Sequence, residues 1–263
     1  MWMYFGGLIL TLGLWAPASD APVRARAVAD ATVVVPGHDF RLGVLLEIDP
    51  GWHVYWKNSG DAGLPTQVRF EYGPELEAGD WAWPGPRQFQ DPGGITTYGY
   101  ADRVLLWQAV RVRPSVPVGR RLTVRGEARW LACREICVPG RQTLHLTLTV
   151  GRATEVSAHA ETFRRFEALV PLRPTALPGW TFRVEAPAPD VRVLEVRPPA
   201  GEAVTGLEWF PEDPRTRVTD QTVVLDGSPR LRVGLKRIGA GPIGGSGVLR
   251  VRTPQRVFYV QFP

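Results

Sequence analysis

The stretch Thr143-Leu144-His145-Leu146-Thr147-Leu148-Thr149-Val150 decides the fold. Leu144, Leu146, Leu148 and Val150 alternate strictly with Thr143, His145, Thr147 and Thr149. A period of two puts the aliphatic side chains on one face of an extended chain and the polar ones on the other. That is the pattern of an antiparallel strand with one wet face. Outward from it the rhythm recurs. Val104, Leu106, Val110 and Val112 alternate with Leu105, Trp107, Arg111 and Arg113. Trp52, Val54 and Trp56 share one face, and His53, Tyr55 and Lys57 share the other, which is expected to be wet. Trp180, Phe182 and Val184 repeat the pattern, as do Leu231, Val233 and Leu235, and the runs 248–252 and 257–262 close the chain. Pro36-Gly37, Asp49-Pro50-Gly51 and Pro92-Gly93-Gly94 punctuate it with turns. Many short strands with frequent turns predict an all-β protein of two tandem β-sandwiches.

One segment departs from this rhythm. From Thr154 to Leu169 there is neither Gly nor Pro, and Val156, Ala160, Phe163, Phe166 and Leu169 approximate one helical face. The spacing predicts a single helix, stopped by Pro171 and Pro174, that connects the two sandwiches.

Composition agrees. Hydrophobic residues make up 44% and charged residues 22%, enough apolar material for a packed core and too much for wholesale disorder. The 25 Pro and 28 Gly, about a fifth of the 263 residues, exclude long helices and coiled coils. No apolar run reaches the ~18 residues of a membrane span. With two Cys and four His, at positions 38, 53, 145 and 159 without an H-x-x-x-H pair, neither a multi-cysteine zinc scaffold nor a zinc hydrolase is supported. The net charge of +5 is carried almost wholly by arginine, since Lys57 and Lys236 are the only lysines. The arginines are scattered singly, as at Arg111, Arg113, Arg121 and Arg125, which suits a solvated surface better than a nucleic-acid face.

The apolar stretch Phe5–Ala16, followed by Ala16-Pro17-Ala18, has the length and small residues of a signal peptide, though Met1–Tyr4 carry no Lys or Arg. Export is therefore expected, and it makes a disulfide chemically permissible. Gly239-Ala240-Gly241-Pro242-Ile243-Gly244 matches G-x-G-x-x-G, but a strand-like run follows where a dinucleotide site needs a helix, so a flexible hairpin loop is expected. Asp213-Pro214 and Asp220 look like turn formers. Trp52, Trp56 and Trp180 share faces with aliphatics and so belong to the core rather than to a glycan-binding platform; Trp107 is the exception.

The two cysteines stand in Trp130-Leu131-Ala132-Cys133-Arg134-Glu135-Ile136-Cys137-Val138-Pro139-Gly140. A bridge between them closes a very small ring, for which chain entropy returns roughly 2 kcal/mol, so a bond used only as a staple is better placed elsewhere. The spacing tilts toward a dithiol that opens and closes. An inert structural disulfide and a soft-metal site, for Cu(I), remain alternatives, although neither Met nor His is near to complete a metal shell. Arg134 would stabilise a thiolate and Glu135 would oppose it.

The stretch Gly51-Trp52-His53-Val54-Tyr55-Trp56-Lys57-Asn58-Ser59-Gly60-Asp61-Ala62-Gly63-Leu64-Pro65 resembles the amino-terminal periplasmic region of the thiol:disulfide interchange protein DsbD, in its ScsB-like branch. So do Trp83–Phe89, Thr97–Tyr100 and Cys133–Gly140, and, less specifically, Trp209-Phe210-Pro211 and Gly247–Phe262. The resemblance implies immunoglobulin-like sandwiches. The expected division is a signal peptide over 1–18, a redox domain over 19–152, a linker helix over 153–174 and a second sandwich over 175–263. It implies a periplasmic thiol:disulfide interchange module, a protein-disulfide-reductase-like component without cofactor or metal. Such a module passes electrons from a separate membrane-embedded donor to oxidised periplasmic thiol proteins. It further implies that Cys137 forms the mixed disulfide and Cys133 resolves it. A cap loop over 89–98 would shield the pair, with Phe89 as cap and Tyr98 nearby, and Tyr55 would lie close to the sulfurs. Some relatives separate the cysteines by five residues where this chain has three, and the membrane and thioredoxin-like domains of DsbD have no counterpart in this sequence. A non-catalytic binding module with a static bridge, or a copper-handling protein, is the alternative, since the ScsB-like branch is associated with copper tolerance.

Overall fold

A computed structural model describes residues 21–263; the expected signal peptide, residues 1–18, lies outside them. The first sandwich is made of β1 (Val23–Ala29), β2 (Ala31–Val34), β3 (Asp39–Ile48), β4 (His53–Gly60), β5 (Gln67–Glu71), β6 (Leu76–Ala82), β7 (Arg87–Asp91), β8 (Ile95–Tyr100), β9 (Arg103–Val112), β10 (Arg121–Cys133), β11 (Cys137–Val150) and β12 (Glu155–Val156). One sheet runs β1-β3-β9-β6. The other runs β12-β2-β11-β10-β4-β8-β7, with β5 also paired to β10. The strand of strict alternation behaves as its pattern requires: in β11, Leu144, Leu148 and Val150 are buried and Thr143, His145, Thr147 and Thr149 are exposed. Between the sheets lie Leu42, Val44, Leu46, Leu106, Val110, Val124 and Leu148.

The helix is shorter than its sequence pattern suggests. Helix α1 covers Ala160–Glu167, and the residues before it add a two-residue strand to the edge of β2. Ser157 accepts the backbone N–H of His159 at 3.0 Å and so starts the turn, leaving Val156 exposed instead of on the helical face. Phe163 and Phe166 are buried, with Phe163 edge-on to Trp107 at 6.4 Å. The helix therefore covers the outer face of β9, which alternation alone reads as wet: Leu105 is fully buried and Trp107 is half-buried, with Arg41 over its ring. Trp107 is thereby part of this packing.

The second sandwich contains β13 (Thr181–Ala188), β14 (Val191–Arg197), β15 (Gly206–Pro211), β16 (Thr216–Val224), β17 (Arg230–Arg237), β18 (Gly247–Arg252) and β19 (Val257–Phe262). Its sheets run β13-β14-β17-β16 and β15-β18-β19 around Trp180, Leu194, Trp209, Leu231, Val233, Leu249 and Val260. Gly239–Gly244 is the irregular link between β17 and β18, with no helix after it. Asp213 is a turn residue, as read from sequence; Asp220 instead lies within β16 and pairs with Arg232 at 2.9 Å.

The two sandwiches share packing. Phe210, Val248 and Tyr259 of the second join the core of the first. Asn58, fully buried on β4, donates to the carbonyls of Pro211 (2.8 Å) and Asp213 (3.1 Å), and Lys57 pairs with Glu212. The Tyr259 hydroxyl donates to the Pro86 carbonyl at 3.1 Å. The second sandwich thus backs β4 on the Asn58 side, and the wet face expected for His53 and Tyr55 is absent as well, covered from within the first sandwich: they are 4% and 1% exposed.

Candidate functional site

The cysteines close the β10–β11 hairpin. The two strands pair without interruption from Arg121↔Thr149 to Cys133↔Cys137, leaving Arg134, Glu135 and Ile136 as the loop. Directly opposed residues in an antiparallel ladder project to the same face, so both sulfurs leave the sheet on one side. They are joined as a disulfide, with Cα atoms 4.1 Å apart. The two ends differ in access. Cys133 is 1% exposed, Cys137 is exposed, and Ile136 at the tip is 69% exposed. The Arg134 N–H donates to the Ile136 carbonyl at 3.1 Å, which folds the loop back on itself.

Burial of Cys133 comes from β4. Ala132 pairs with Val54 and Cys133 with His53, so the outward side chains of β4 stand beside the sulfur. The Tyr55 hydroxyl donates to Cys133 Sγ at 2.9 Å and lies 3.8 Å from Cys137 Sγ. The His53 ring meets Tyr55 edge-on at 5.3 Å, and Phe89 stacks on His53 at 4.4 Å with the rings 11° from parallel. Phe89 reaches it from β7, which pairs with β8 at Phe89↔Thr97. Behind Tyr55 the chain at Gly63, with φ +91°, passes so close that a Cβ would enter the phenol ring. Only glycine serves both the left-handed backbone and the contact.

An acid completes the cluster. Asp91 Oδ1 lies 3.5 Å from His53 Nε2, and Asp91 Oδ2 accepts from Thr97 Oγ1 at 3.0 Å. Burial holds the His53 imidazole below its usual pKa, with Asp91 opposing that shift, and Nε2 is buried without a hydrogen-bond partner. Burial first, and the Asp91 charge second, push the Tyr55 phenol up to about 12. The phenol thus stays an O–H donor throughout the neutral range, able to hold negative charge developing on Cys133.

The residues singled out by sequence divide accordingly. Cys133, Cys137, Tyr55 and Phe89 come together. Arg134 sits at the loop with its guanidinium 5.2 Å over the Trp52 ring, and Glu135 is exposed at the tip. Tyr98 is a correction. Register pairs Tyr55 with Gly99, so Tyr98 projects from the opposite face, where it is buried edge-on to Phe210 at 5.1 Å. It is core, not cover. His53 and Asp91 escaped the sequence reading. His53 had a signal in standing two residues before Tyr55 on the same face, whereas Asp91 arrives only through the β7–β8 pairing. Among the described residues no cluster of three or more His, Cys, Asp or Glu forms a metal site.

Comparison with known proteins follows from this geometry. Residues 20–149 match the family model described as thiol:disulfide interchange protein DsbD, N-terminal. The N-terminal periplasmic domain of ScsB from Proteus mirabilis superposes with a TM-score of 0.64 at 18% identity, covering 95% of each chain; it shows a common fold. The DsbD N-terminal domain of Neisseria meningitidis, in its reduced form, aligns with 49% of this chain and 89% of its own at 14% identity and a TM-score of 0.29. No curated protein sequence matches. Among the described residues no helix is long and apolar enough to cross a membrane.

Proposed function

Because residues 20–149 belong to the family of DsbD amino-terminal domains, we propose that this protein is a periplasmic thiol:disulfide interchange module acting through Cys133 and Cys137. One observation carries the reading: the two cysteines differ in exposure, Cys137 an exposed residue and Cys133 a buried one with its sulfur under the Tyr55 hydroxyl. A staple has no need of that asymmetry, whereas exchange requires one sulfur to meet the partner and one to wait behind it.

In the reduced protein the Cys137 thiolate attacks one sulfur of an oxidised partner. The partner's S–S bond breaks, its other sulfur leaves as a thiolate, and a mixed disulfide forms. The Cys133 thiolate, stabilised by the Tyr55 O–H, then attacks Cys137 Sγ. The intramolecular bond forms, the mixed disulfide breaks, and the partner departs with two electrons and, from solvent, two protons. A separate membrane-embedded dithiol donor runs the same steps in reverse to recharge the pair. Phe89 acts as cap, as its stacking over His53 supports. Arg134 and Glu135 set the charge at the mouth. The redox domain is assigned to 19–152, the linker to 153–174 and the second sandwich to 175–263. The second sandwich serves to brace β4, the role that the Asn58 and Lys57 contacts support.

The test is trapping in periplasmic extract. Cys133→Ser leaves Cys137 able to form mixed disulfides but unable to release them, and about tenfold more of them should be recovered than with Cys137→Ser. Recovery of none with Cys133→Ser, or the reverse preference, contradicts the assignment.

A further inference from the structure

The arginines that look scattered in sequence converge in the fold. In β10 the even-numbered positions face the core, and the odd-numbered ones share the outer face with the cysteine sulfurs. Cross-strand pairing sets Arg129 directly opposite Arg141, and Arg125 opposite His145. On the other side, β5 brings Arg69 alongside Glu127. Arg121 continues the row. Only Glu71 and Glu127 oppose these five arginines; Glu127 is taken by Arg129, and among the described residues Arg69, Arg121, Arg125 and Arg141 form no ion pair. Like charges directly opposed in a ladder destabilise it, so the Arg129–Arg141 pair carries a cost for which the fold itself shows no return.

We propose that this outer face of β5, β10 and β11 is the docking surface for an acidic protein partner whose disulfide is presented to Cys137. The inference rests on the exchange reading above. Arg129 and Arg141 lie four residues from the cysteines, about 13 Å at ~3.3 Å per residue. An interface of ordinary size, about 800 Å² on each partner, centred near Cys137, takes in Arg129 and Arg141. Charge of one sign beside the reactive sulfur raises the rate of encounter with its complement and repels wrong partners. A nucleic acid fits less well: apart from the cysteines, the outward positions of these strands are Arg, Thr, Gln, Glu, His145, Leu131 and Pro139, with no Trp, Tyr or Phe on which successive bases could stack.

The test uses three symmetrical peptide disulfides with arms of about eight residues, rich in Glu, in Ser and Gly, or in Lys, long enough to reach the strip. Each is mixed with the reduced full-length protein, and oxidation of the Cys133–Cys137 pair is timed. One peptide disulfide is reduced to two peptide thiols for each protein disulfide formed. At low salt the acidic probe should react about tenfold or more faster than the neutral one, and the basic probe slower, with the advantage shrinking in about 0.5 M salt. Arg129→Glu with Arg141→Glu should abolish the acidic advantage and leave the neutral rate unchanged. Arg129→Gln with Arg141→Gln, which adds no charge, should reduce it and guards against a folding defect. Equal acidic and neutral rates in the native protein, or an advantage that survives both variants, overturns the docking surface while leaving the exchange reading intact. Tight binding of single-stranded oligothymidine that is lost in the variants reassigns the strip to nucleic acid and also overturns it. Failure of every probe to oxidise the protein overturns the exchange reading itself.

Discussion

His53 is enclosed between Phe89 and Tyr55, with Asp91 at its edge, and burial outweighs the acid in setting its protonation. Its folded pKa lies below the unfolded value of about 6.5. As pH falls through that unfolded value, the unfolded chain gains a proton that the folded chain refuses, so stability is full above it and declines toward the folded pKa. Chemical denaturation of the oxidised protein between pH 7.5 and 5 should show this loss, and His53→Phe should show less of it. A residual slope remains from His159, whose pKa is lowered by burial and by Arg26 and Arg103. An unchanged slope in His53→Phe contradicts the assignment. At this scale the sequence was partly legible. The cysteines and Tyr55 declare themselves by type and spacing. Tyr98 does not, since its side depends on whether Tyr55 pairs with Gly99 or with a neighbour, a one-residue matter of register.

At the scale of elements, the β7–β8 hairpin is the cover. It delivers Phe89 over His53 and Asp91 beside it, and its turn at Pro92-Gly93-Gly94 is exposed. Phe89→Ala should remove the stacking without touching the sulfurs, lowering stability by about 1–2 kcal/mol and raising the rate of disulfide reduction by a small-molecule dithiol several-fold. An unchanged reduction rate means that the hairpin does not shield the pair. Elements were legible where a strand faces solvent on one side. β11 follows its alternation from Thr143 to Val150, with only Leu146 half-buried, because among the described residues its polar side chains there stay exposed. β4 and β9 do not, because Phe89, Gly63 and the cysteine hairpin on β4, and α1 on β9, bury what alternation assigns to water. The helix was overextended because the face from Val156 onward also suits a short edge strand, and pairing with β2 claims it.

At the scale of the molecule, two sandwiches lock through Phe210, which meets Trp56 at 6.5 Å and Tyr98 at 5.1 Å behind β4. The surface that carries Tyr55 toward Cys133 is thus backed by the second core. Tandem architecture follows from strand count and turn spacing. The locking does not, because Asn58 and Phe210 stand 152 positions apart and no local pattern links them. The arginine strip is hidden for the same reason, since single arginines on β5, β10 and β11 become one surface only through strand pairing. All of these features serve one bond that opens and closes. Equilibrating the protein across a glutathione redox series and alkylating the free thiols tests that directly. A single two-electron transition between about −180 and −280 mV is the predicted result, and a pair still fully oxidised below about −300 mV contradicts it.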